Sequence, residues 1–510
     1  MGHPIKHCLS EGWRNFGLRS LVVYRSNDCF ARSIVRRPEH FMRKVFREWP
    51  IMRPIMNVYG VLLISAVMTL PLMAFEPAVA ADIQSDFDET EDYRSVPMPP
   101  GFRIEHSERD GPVFADPRGK TLYYWPQNTM RNGITGDPKN QSLCTYVPTT
   151  KTAGLMSPYP PGLTLPELDS RKSCAEVWPP VLADENSEPV GSFSIVAMKD
   201  GRKLWAYDEH VLYTSMLDEE PGDVRGAVTR QHNGETPAPR KVAVAPPAIP
   251  PGFVIITTAL GRQLLTDKNH SVYVFDGDGL EKSNCDETCT RKWKPVIAPA
   301  SAQSQGKWSV IERSPGVRQW VFRKKPLYTH VLDPDIKSLE GSDSPGWHNV
   351  YTQKAPPPPL EFTMQETSTG IVLADSRGKT IYLYHCGDDS MDQLACDHPR
   401  APQVYRLAIC GGGKVERCLR DWPYVVAHAD SQSKSRTWTV IEIDPQTGQF
   451  AQPGQDGSLR VWAYRGAPVY TYTRDESPGD INGHANGEFG GSRNGFKAFF
   501  LRDDFFNNAG

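Results

Sequence analysis

The chain has 510 residues, enough for two to four domains, and 39% of them are hydrophobic, so packed cores are expected. Its 57 Lys and Arg nearly balance 60 Asp and Glu. Residues 1–56 hold eleven basic and four acidic residues, which leaves a net charge of about −10 on the rest. That acidity argues against nucleic acid as a partner, because phosphate binding needs clustered Lys and Arg.

The N-terminal region is typical of an exported protein. Residues 57–75 are almost wholly apolar, follow Arg53 and precede the small-residue run Ala78-Val79-Ala80-Ala81. A basic flank, an apolar core and a small-x-small site compose a secretory signal, so residues 57–81 are predicted to be a signal peptide. The alternative is a retained membrane anchor, since about 19 apolar residues can just span a bilayer.

The predicted location is the periplasm or the extracellular space, with the membrane involved only through the N-terminal segment if it stays uncleaved. No cysteine follows the apolar core at a lipoprotein position, which argues against a lipid anchor. Residues 1–56 form a basic leader that resembles no compact domain, and we interpret it as a mis-assigned start with translation beginning near Met42, Met52 or Met56.

Proline-rich joints divide the exported part into repeat units. Units open at Pro99-Pro100-Gly101-Phe102, at Pro250-Pro251-Gly252-Phe253 and after Pro356–Pro359. The predicted divisions are a flexible acidic lead-in at 82–98, unit 1 at 99–223, a linker at 224–249, unit 2 at 250–343, a Pro-rich linker at 344–359, unit 3 at 360–490 and a C-terminal segment at 491–510.

Each unit has two halves with strand-like patterns. The first half carries a hairpin around an Asp-x-x-Gly turn, as at Asp116–Gly119 and Asp375–Gly378. The second half carries Cys-x-x-x-Trp and then a Trp-x-aromatic strand. Eight residues after the Trp of that strand comes a Tyr, and five residues after the Tyr comes an Asp. The Trp-x-aromatic strands begin at Trp205, Trp320 and Trp462. Since no long helical periodicity occurs, we expect an all-β fold of three tandem double repeats of three-stranded meanders, small sandwich- or barrel-like modules. The alternative is a six-bladed β-propeller.

Six segments centred on Tyr share the pattern Tyr-x-aromatic-x-x-Asp. Tyr273 with Phe275 and Asp278, and Tyr470 with Tyr472 and Asp475, match it fully, while the segments at Tyr123, Tyr213, Tyr328 and Tyr382 match it in part. With the Cys-x-x-x-Trp element and the Pro-Gly-Asp tail, the chain resembles, over roughly residues 99–490, the bacterial secreted repeat family of predicted lipoproteins, whose function is undefined. The resemblance implies export and a β-rich repeat, and it supplies no reaction and no catalytic residues.

The motif residues have two interpretations. Aromatic faces beside a carboxylate could stack on a glycan or another apolar ligand, but large aromatics on a half-buried strand are usually core, and the motif Asp is expected to cap a turn. The candidate ligand-binding residues are Tyr123, Trp125, Tyr273, Phe275, Asp278, Tyr470, Tyr472 and Asp475. A weaker alternative is calcium at Asp475, Asp480 and the loop 482–484.

Eight cysteines remain in the exported part, where an even count predicts disulfides. The family's paired cysteines imply Cys285 with Cys289 and Cys144 with Cys174. Unit 3 has four cysteines and three possible pairings, of which Cys386–Cys396 and Cys410–Cys418 are preferred. No cofactor is expected, and the alternative is a zinc or copper site at His385, Cys386, Cys396 and His398.

Motif searches favour a binding protein over an enzyme. Gly-x-Ser-x-Gly, His-Glu-x-x-His, Walker and Cys-x-x-Cys-His sequences are missing, so no catalytic residue is assigned. We expect an exported cell-envelope repeat protein that acts as a binding or interaction module for an unidentified envelope ligand or protein. The alternatives are an envelope redox or metal-handling accessory and an unrecognised hydrolase on a propeller.

Overall fold

Short antiparallel strands dominate the fold, as the aromatic and β-branched runs predict. The computed structural model describes residues 89–124, 174–198, 201–226, 241–333, 338–385, 410–412, 414–452, 454–484, 486–487 and 495–503. These residues belong to one compact unit, Phe75–Gly510. The all-β prediction is confirmed, and no sheet of the described residues closes into a barrel.

The described residues of unit 1 and of the segment that follows it hold eight short strands. They are β1 Arg103–Ser107, β2 Gly111–Ala115, β3 Tyr123–Tyr124, a helix Cys174–Val177, β4 Leu182–Ala183, β5 Phe193–Ala197, β6 Lys203–Tyr207, β7 His210–Val211 and β8 Lys241–Val242.

The described residues of unit 2 and of the segment that follows it hold ten strands. They are β9 Phe253–Thr258, β10 Gly261–Thr266, β11 Tyr273–Phe275, a 3₁₀ turn Cys289–Arg291, β12 Trp293–Pro295, β13 Trp308–Ser314, β14 Val317–Phe322, β15 Lys325–Pro326, β16 Tyr328–His330, a 3₁₀ turn Glu340–Asp343, β17 Trp347–Asn349 and β18 Tyr351–Lys354.

The described residues of unit 3 and of the C-terminal segment hold nine strands. They are β19 Thr363–Thr367, β20 Gly370–Ala374, β21 Tyr382–His385, a helix Val415–Asp421, β22 Trp438–Ile443, β23 Leu459–Tyr464, β24 Ala467–Tyr470, β25 Asn486–Gly487, β26 Gly495–Ala498 and β27 Phe500–Asp503.

One hairpin recurs in the second half of every unit with the same register. The pairs across it are Ile195 with Trp205, Val310 with Trp320 and Val440 with Trp462. A two-residue turn then leads to the next short strand, and both turn residues have positive φ, as in the type I′ turns that suit twisted strands. These turns are Asp208-Glu209, Arg323-Lys324 and Arg465-Gly466.

Each first half is completed by a strand from beyond the predicted unit. Strand β8 pairs with β3, strands β17 and β18 pair with β11 and β10, and strands β26 and β27 pair with β21 and β20. The predicted domain divisions remain a prediction. The structure adds that the linkers at 224–249 and 344–359 and the segment 491–510 contain strands of the neighbouring sheets.

The tryptophans of the repeat lie in the core, with two apolar clusters in each unit. One cluster contains the Trp of Cys-x-x-x-Trp and both motif tyrosines, and the other contains the Trp of the Trp-x-aromatic strand. The six tryptophans of the repeat motifs are at most 5% exposed: Trp178, Trp205, Trp293, Trp320, Trp422 and Trp462. The core interpretation of these residues is confirmed.

Residues 89–98, the described part of the expected flexible lead-in, contact unit 2 at their start and the core of unit 1 at Val96 and Met98. Glu91 is 2% exposed, and its carboxylate lies 2.9 Å from the guanidinium of Arg262. Such a pair orders this part of the chain. None of the helices in the described ranges is long and apolar enough to span a bilayer.

Candidate functional site

The six motif tyrosines meet in pairs across the middle of each unit. Tyr273 of β11 lies opposite Tyr328 of β16, and Tyr382 of β21 lies opposite Tyr470 of β24. Tyr123 and Tyr213 form the corresponding antiparallel bridge in unit 1. The two halves of a unit are therefore joined through their tyrosine strands, as a double-repeat module requires, whereas propeller blades would keep their strands in separate sheets.

Each motif Asp accepts a hydrogen bond from the tyrosine of the other half of its unit. The four bonds run from the Tyr hydroxyl to the carboxylate over 2.6–2.9 Å: Tyr123 to Asp218, Tyr273 to Asp333, Tyr328 to Asp278 and Tyr382 to Asp475. Unit 2 has a reciprocal pair of these crosswise bonds, because both of its halves contain the Asp. The motif therefore cross-links the two halves.

The second carboxylate oxygen accepts a backbone N–H from the loop that follows. Asp218 accepts from Arg225, Asp278 from Asn284 and Asp475 from Asn482, over 2.6–2.9 Å. A lysine also donates to the main-chain carbonyl of each of these aspartates: Lys120, Lys325 and Lys379. The Asp thus combines the expected turn-capping role with the crosswise bond.

Burial governs the acidity of these groups. It raises the pKa of the Asp218 carboxyl to about 7, against the opposing hydrogen bonds from Tyr123 and the Arg225 N–H. Burial also raises the pKa of Asp333 and Asp475. Burial is again the first cause for Tyr328, whose pKa rises to about 12. The buried Asp carboxyls and Tyr hydroxyls of the motif are therefore either uncharged or hydrogen-bonded to each other. Such groups stabilise the fold and are poorly placed to bind a ligand.

The structure places most of the predicted ligand-binding residues inside the protein. Tyr123, Tyr273, Asp278, Tyr470, Tyr472 and Asp475 are at most 5% exposed. Phe275 is half-buried and stacks on Trp347 with ring centroids 4.6 Å apart. Trp125 lies outside the described residues. A ligand role for this set stays a prediction.

The Pro-Gly-Asp tail forms a closed turn against the first half of units 1 and 3. Asp480 accepts the backbone N–H groups of Glu476 and Ser477 over 2.9 and 2.8 Å, and Asp223 does the same in unit 1. Gly479 has φ +83°, and a Cβ there would lie 2.2 Å from the carbonyl oxygen of Glu366. Only glycine satisfies both conditions.

Two of the predicted disulfides are formed, Cys285–Cys289 and Cys410–Cys418. The Cys144–Cys174 and Cys386–Cys396 pairs fall outside what the structure describes, as do the side chains of the alternative metal set His385, Cys386, Cys396 and His398. Among the described residues, no three His, Cys, Asp or Glu side chains are placed to hold a metal ion.

Sequence reasoning missed an apolar cleft of about 260 Å³ that opens to solvent beside unit 3. We call it the apolar cleft. Its lining consists of Ala259, Leu260, Tyr351, Lys354, Ala355, Pro356, Pro357, Pro358, Trp438, Phe499 and Leu501. Among the described residues of its lining, Tyr351, Lys354 and Trp438 carry a polar side-chain group, so the site can hold an apolar body and orient a polar end.

Four segments distant in sequence build the apolar cleft. The tip of the β9–β10 hairpin contributes Ala259 and Leu260, and the Leu260 carbonyl accepts the Ala355 N–H at 2.9 Å. Strand β18 and the prolines after it form a wall. Trp438 and Phe499 form the floor, with ring centroids 5.4 Å apart. In the sequence, the proline run 356–359 is the feature that lies at this cleft, and it predicts a linker and not a binding site.

The family model of a secreted repeat of unknown function matches residues 254–297 and 454–494. These segments contain Tyr273 and Tyr470 with their motif aspartates, so the predicted resemblance is confirmed. No curated protein and no solved structure matches the chain. Except for Ala259 and Leu260, the lining of the apolar cleft lies outside both matched segments.

Proposed function

We propose that this chain, which carries the secreted repeat at two positions, is an exported binding protein that holds a small, ring-bearing apolar molecule in the apolar cleft. The cleft itself is the observation that supports this function. Its volume of about 260 Å³ lies just below the usual range of small-molecule sites, roughly 300–1,000 Å³, which suits a small ligand, and its mostly apolar lining is typical of such sites.

The lining favours a ligand with at least one flat apolar ring. Trp438 and Phe499 are 2% exposed, and Leu501 is 5% exposed, so the floor is fixed by the core beneath it. Aromatic floors attract rings through offset or edge-to-face packing, worth about 0.5–1.5 kcal/mol beyond area burial. Lys354 and Tyr351 at the margin suit a single polar substituent.

The prolines make the cleft largely preformed. Pro356, Pro357 and Pro358 follow β18, which pairs with β10 from Gly261 to Gln263. Proline restricts φ, so this wall loses little conformational entropy when a ligand binds. The secreted repeats then act as a rigid frame, and the location we propose is the cell envelope, either the periplasm or the outer surface.

The test uses N-phenyl-1-naphthylamine, an uncharged ring compound whose fluorescence rises in apolar sites. We expect saturable binding to the full chain. Leu260→Glu places a charge at the hairpin tip and should weaken binding at least tenfold, which equals about 1.4 kcal/mol. Ala259→Trp should weaken it as well by filling the cleft without adding charge.

Leu280→Glu is the matched control. Leu280 belongs to the same unit, is 71% exposed and does not line the cleft, so its replacement should leave the probe affinity unchanged. Thermal unfolding of each variant checks that the fold persists. Equal probe binding by all four proteins, or no saturation with the unmodified chain, would overturn the proposal.

A further inference from the structure

Arg465 lies in the turn between β23 and β24, and two nitrogens of its guanidinium have no hydrogen-bond partner among the described residues. The residue is 7% exposed, and its Nη1 and Nη2 atoms are buried without a hydrogen bond from any described residue. A buried charge that is neither paired nor hydrogen-bonded strongly destabilises a fold. An orphaned guanidinium of this kind therefore points to a partner that the chain itself does not supply.

Arg323 occupies the same position in unit 2, and there the chain itself supplies hydrogen-bond acceptors to the guanidinium. It is also the first residue of the two-residue turn, with φ 47° against 53° for Arg465. Its Nη1 and Nη2 donate to the carbonyl oxygens of Tyr351 and Thr352 at 3.3 and 2.8 Å. No carbonyl takes that place in the described surroundings of Arg465.

Arg465 lines a narrow polar pocket of about 20 Å³, half open to solvent, between loops of unit 1 and unit 3, so a bound group would place only its polar end inside. We call it the arginine pocket. Four guanidiniums and three carboxylates line it: Arg109, Arg225, Arg436, Arg465, Glu108, Asp110 and Asp223. The formal excess is one positive charge.

The three carboxylates are already engaged by other groups. Glu108 accepts the backbone N–H groups of Arg436 and Thr437 and the hydroxyl of Ser435. Asp110 accepts two bonds from Arg109, at 2.8 and 3.3 Å, and Asp223 closes the Pro-Gly-Asp turn. None of them forms a hydrogen bond to Arg465, so the excess positive charge is concentrated at that guanidinium.

The surroundings also oppose a bare charge at this position. Burial is the main cause that lowers the pKa of Arg465, and the like charge of Arg109 acts in the same direction. A bound anion would remove both penalties, because it would replace lost hydration and screen the two guanidiniums from each other.

We propose that the arginine pocket binds one oxyanion, a phosphoryl or carboxylate group, in two-point contact with Nη1 and Nη2 of Arg465. The planar fork of a guanidinium matches two oxygens of such a group, and charge-assisted bonds of this type are the stronger ones. This site is separate from the apolar cleft and does not depend on a ligand there.

The test is calorimetric titration of the full chain with sodium phosphate and, separately, with sodium acetate, each against sodium chloride at equal ionic strength. We expect one phosphate or acetate per chain. Arg465→Gln should weaken its binding at least tenfold, and Arg465→Lys, which keeps the charge but loses the fork, should fall between. Arg323→Gln is the matched control and should leave the affinity unchanged.

Thermal unfolding gives a second readout. A ligand that binds only the folded chain raises Tm with its concentration, so phosphate should raise Tm of the unmodified chain but not that of Arg465→Gln. A response to acetate alone assigns the site to carboxylates, and a response to phosphate alone assigns it to phosphoryl groups. Equal shifts in both proteins, or no saturable binding of either anion, would overturn the proposal and leave water as the partner.

Discussion

Units 2 and 3 use the same pair of tyrosine strands but secure them differently. Unit 2 has an Asp in both halves and forms two reciprocal crosswise bonds, Tyr273 to Asp333 and Tyr328 to Asp278. Unit 3 has Gly387 where the first Asp would stand, and its crosswise bond on the described residues is Tyr382 to Asp475. The motif is thus complete in one unit and half complete in the other.

The Pro-Gly-Asp turn accompanies the half-complete motif. Units 1 and 3 have this turn, and Asp223 and Asp480 each accept two backbone N–H groups there. Unit 2 lacks the sequence after Asp333. We infer that each unit has one restraint beside the shared crosswise bond. In unit 2 the bond from Tyr328 fixes Asp278 in the loop after β11, and in units 1 and 3 the closed turn fixes the loop after the second-half Asp.

The largest loss of stability is expected on replacing the tryptophan that both units share, which packs against the motif tyrosines. Trp422 lies 3.7 Å from Phe496 between ring centroids, and Trp293 lies 3.7 Å from Trp347. Both tryptophans are buried, so Trp422→Ala and Trp293→Ala should each lower the free energy of unfolding by about 3–5 kcal/mol. Urea denaturation measures the loss.

Trp→Phe at the same two positions serves as the control, since it keeps a ring and should lose less than Trp→Ala. A loss below about 1 kcal/mol for either alanine variant would contradict a core role for that stack.

The next largest loss of stability is expected on removing a crosswise bond, and here units 2 and 3 should differ. Tyr382→Phe removes the hydroxyl of the crosswise bond in unit 3 and leaves Asp475 buried with one partner fewer, which should lower the unfolding free energy by about 1–3 kcal/mol. In unit 2, Tyr273→Phe and Tyr328→Phe should each lower it, and a double-mutant cycle should reveal coupling between them.

Tyr472→Phe is the matched control for unit 3, because its ring stacks on Trp422 in the same cluster and is not one of the crosswise donors. We expect a change within about 0.5 kcal/mol. If Tyr382→Phe were as mild as this control, the crosswise bond would not hold the halves together.

The repeat and its all-β class could be predicted because they depend on local spacing. The same Trp-to-Tyr and Tyr-to-Asp intervals recur three times. The alternation of apolar and polar residues that indicates a strand can be recognised within a few residues. The disulfides Cys285–Cys289 and Cys410–Cys418 are also local, with separations of four and eight residues.

The crosswise bonds could not be predicted from the motif. Tyr and Asp stand five residues apart in Tyr-x-aromatic-x-x-Asp, which suggests a contact within one segment, yet Tyr382 and its partner Asp475 are 93 residues apart. The apolar cleft was missed for a similar reason. Nothing near Pro356–Pro358 indicates that a hairpin tip at Leu260 and a floor at Phe499 meet there.

The smallest effect tests unit 1, which shares the single crosswise bond of unit 3. Burial raises the pKa of Asp218 from its ordinary value of 3.8 to about 7. The folded chain therefore holds this proton at pH values where the unfolded chain has lost it, so the contribution to stability is complete below pH 3.8 and is lost as pH rises through 7. The slope for one group is at most about 1.4 kcal/mol per pH unit.

The measurement is the difference in unfolding free energy between the unmodified chain and Asp218→Asn, whose amide does not titrate. That difference should fall by about 1 kcal/mol between pH 6 and pH 7 and level off above the pKa of the carboxyl. Asp430→Asn is the control, because Asp430 is exposed and its loss should leave the pH profile unchanged. A difference that stays constant over this range would mean that the Tyr123 hydroxyl and the Arg225 N–H outweigh burial, so that Asp218 stays ionised. The crosswise bond of unit 1 would then be a charge-assisted bond, about twice as strong as one between neutral groups.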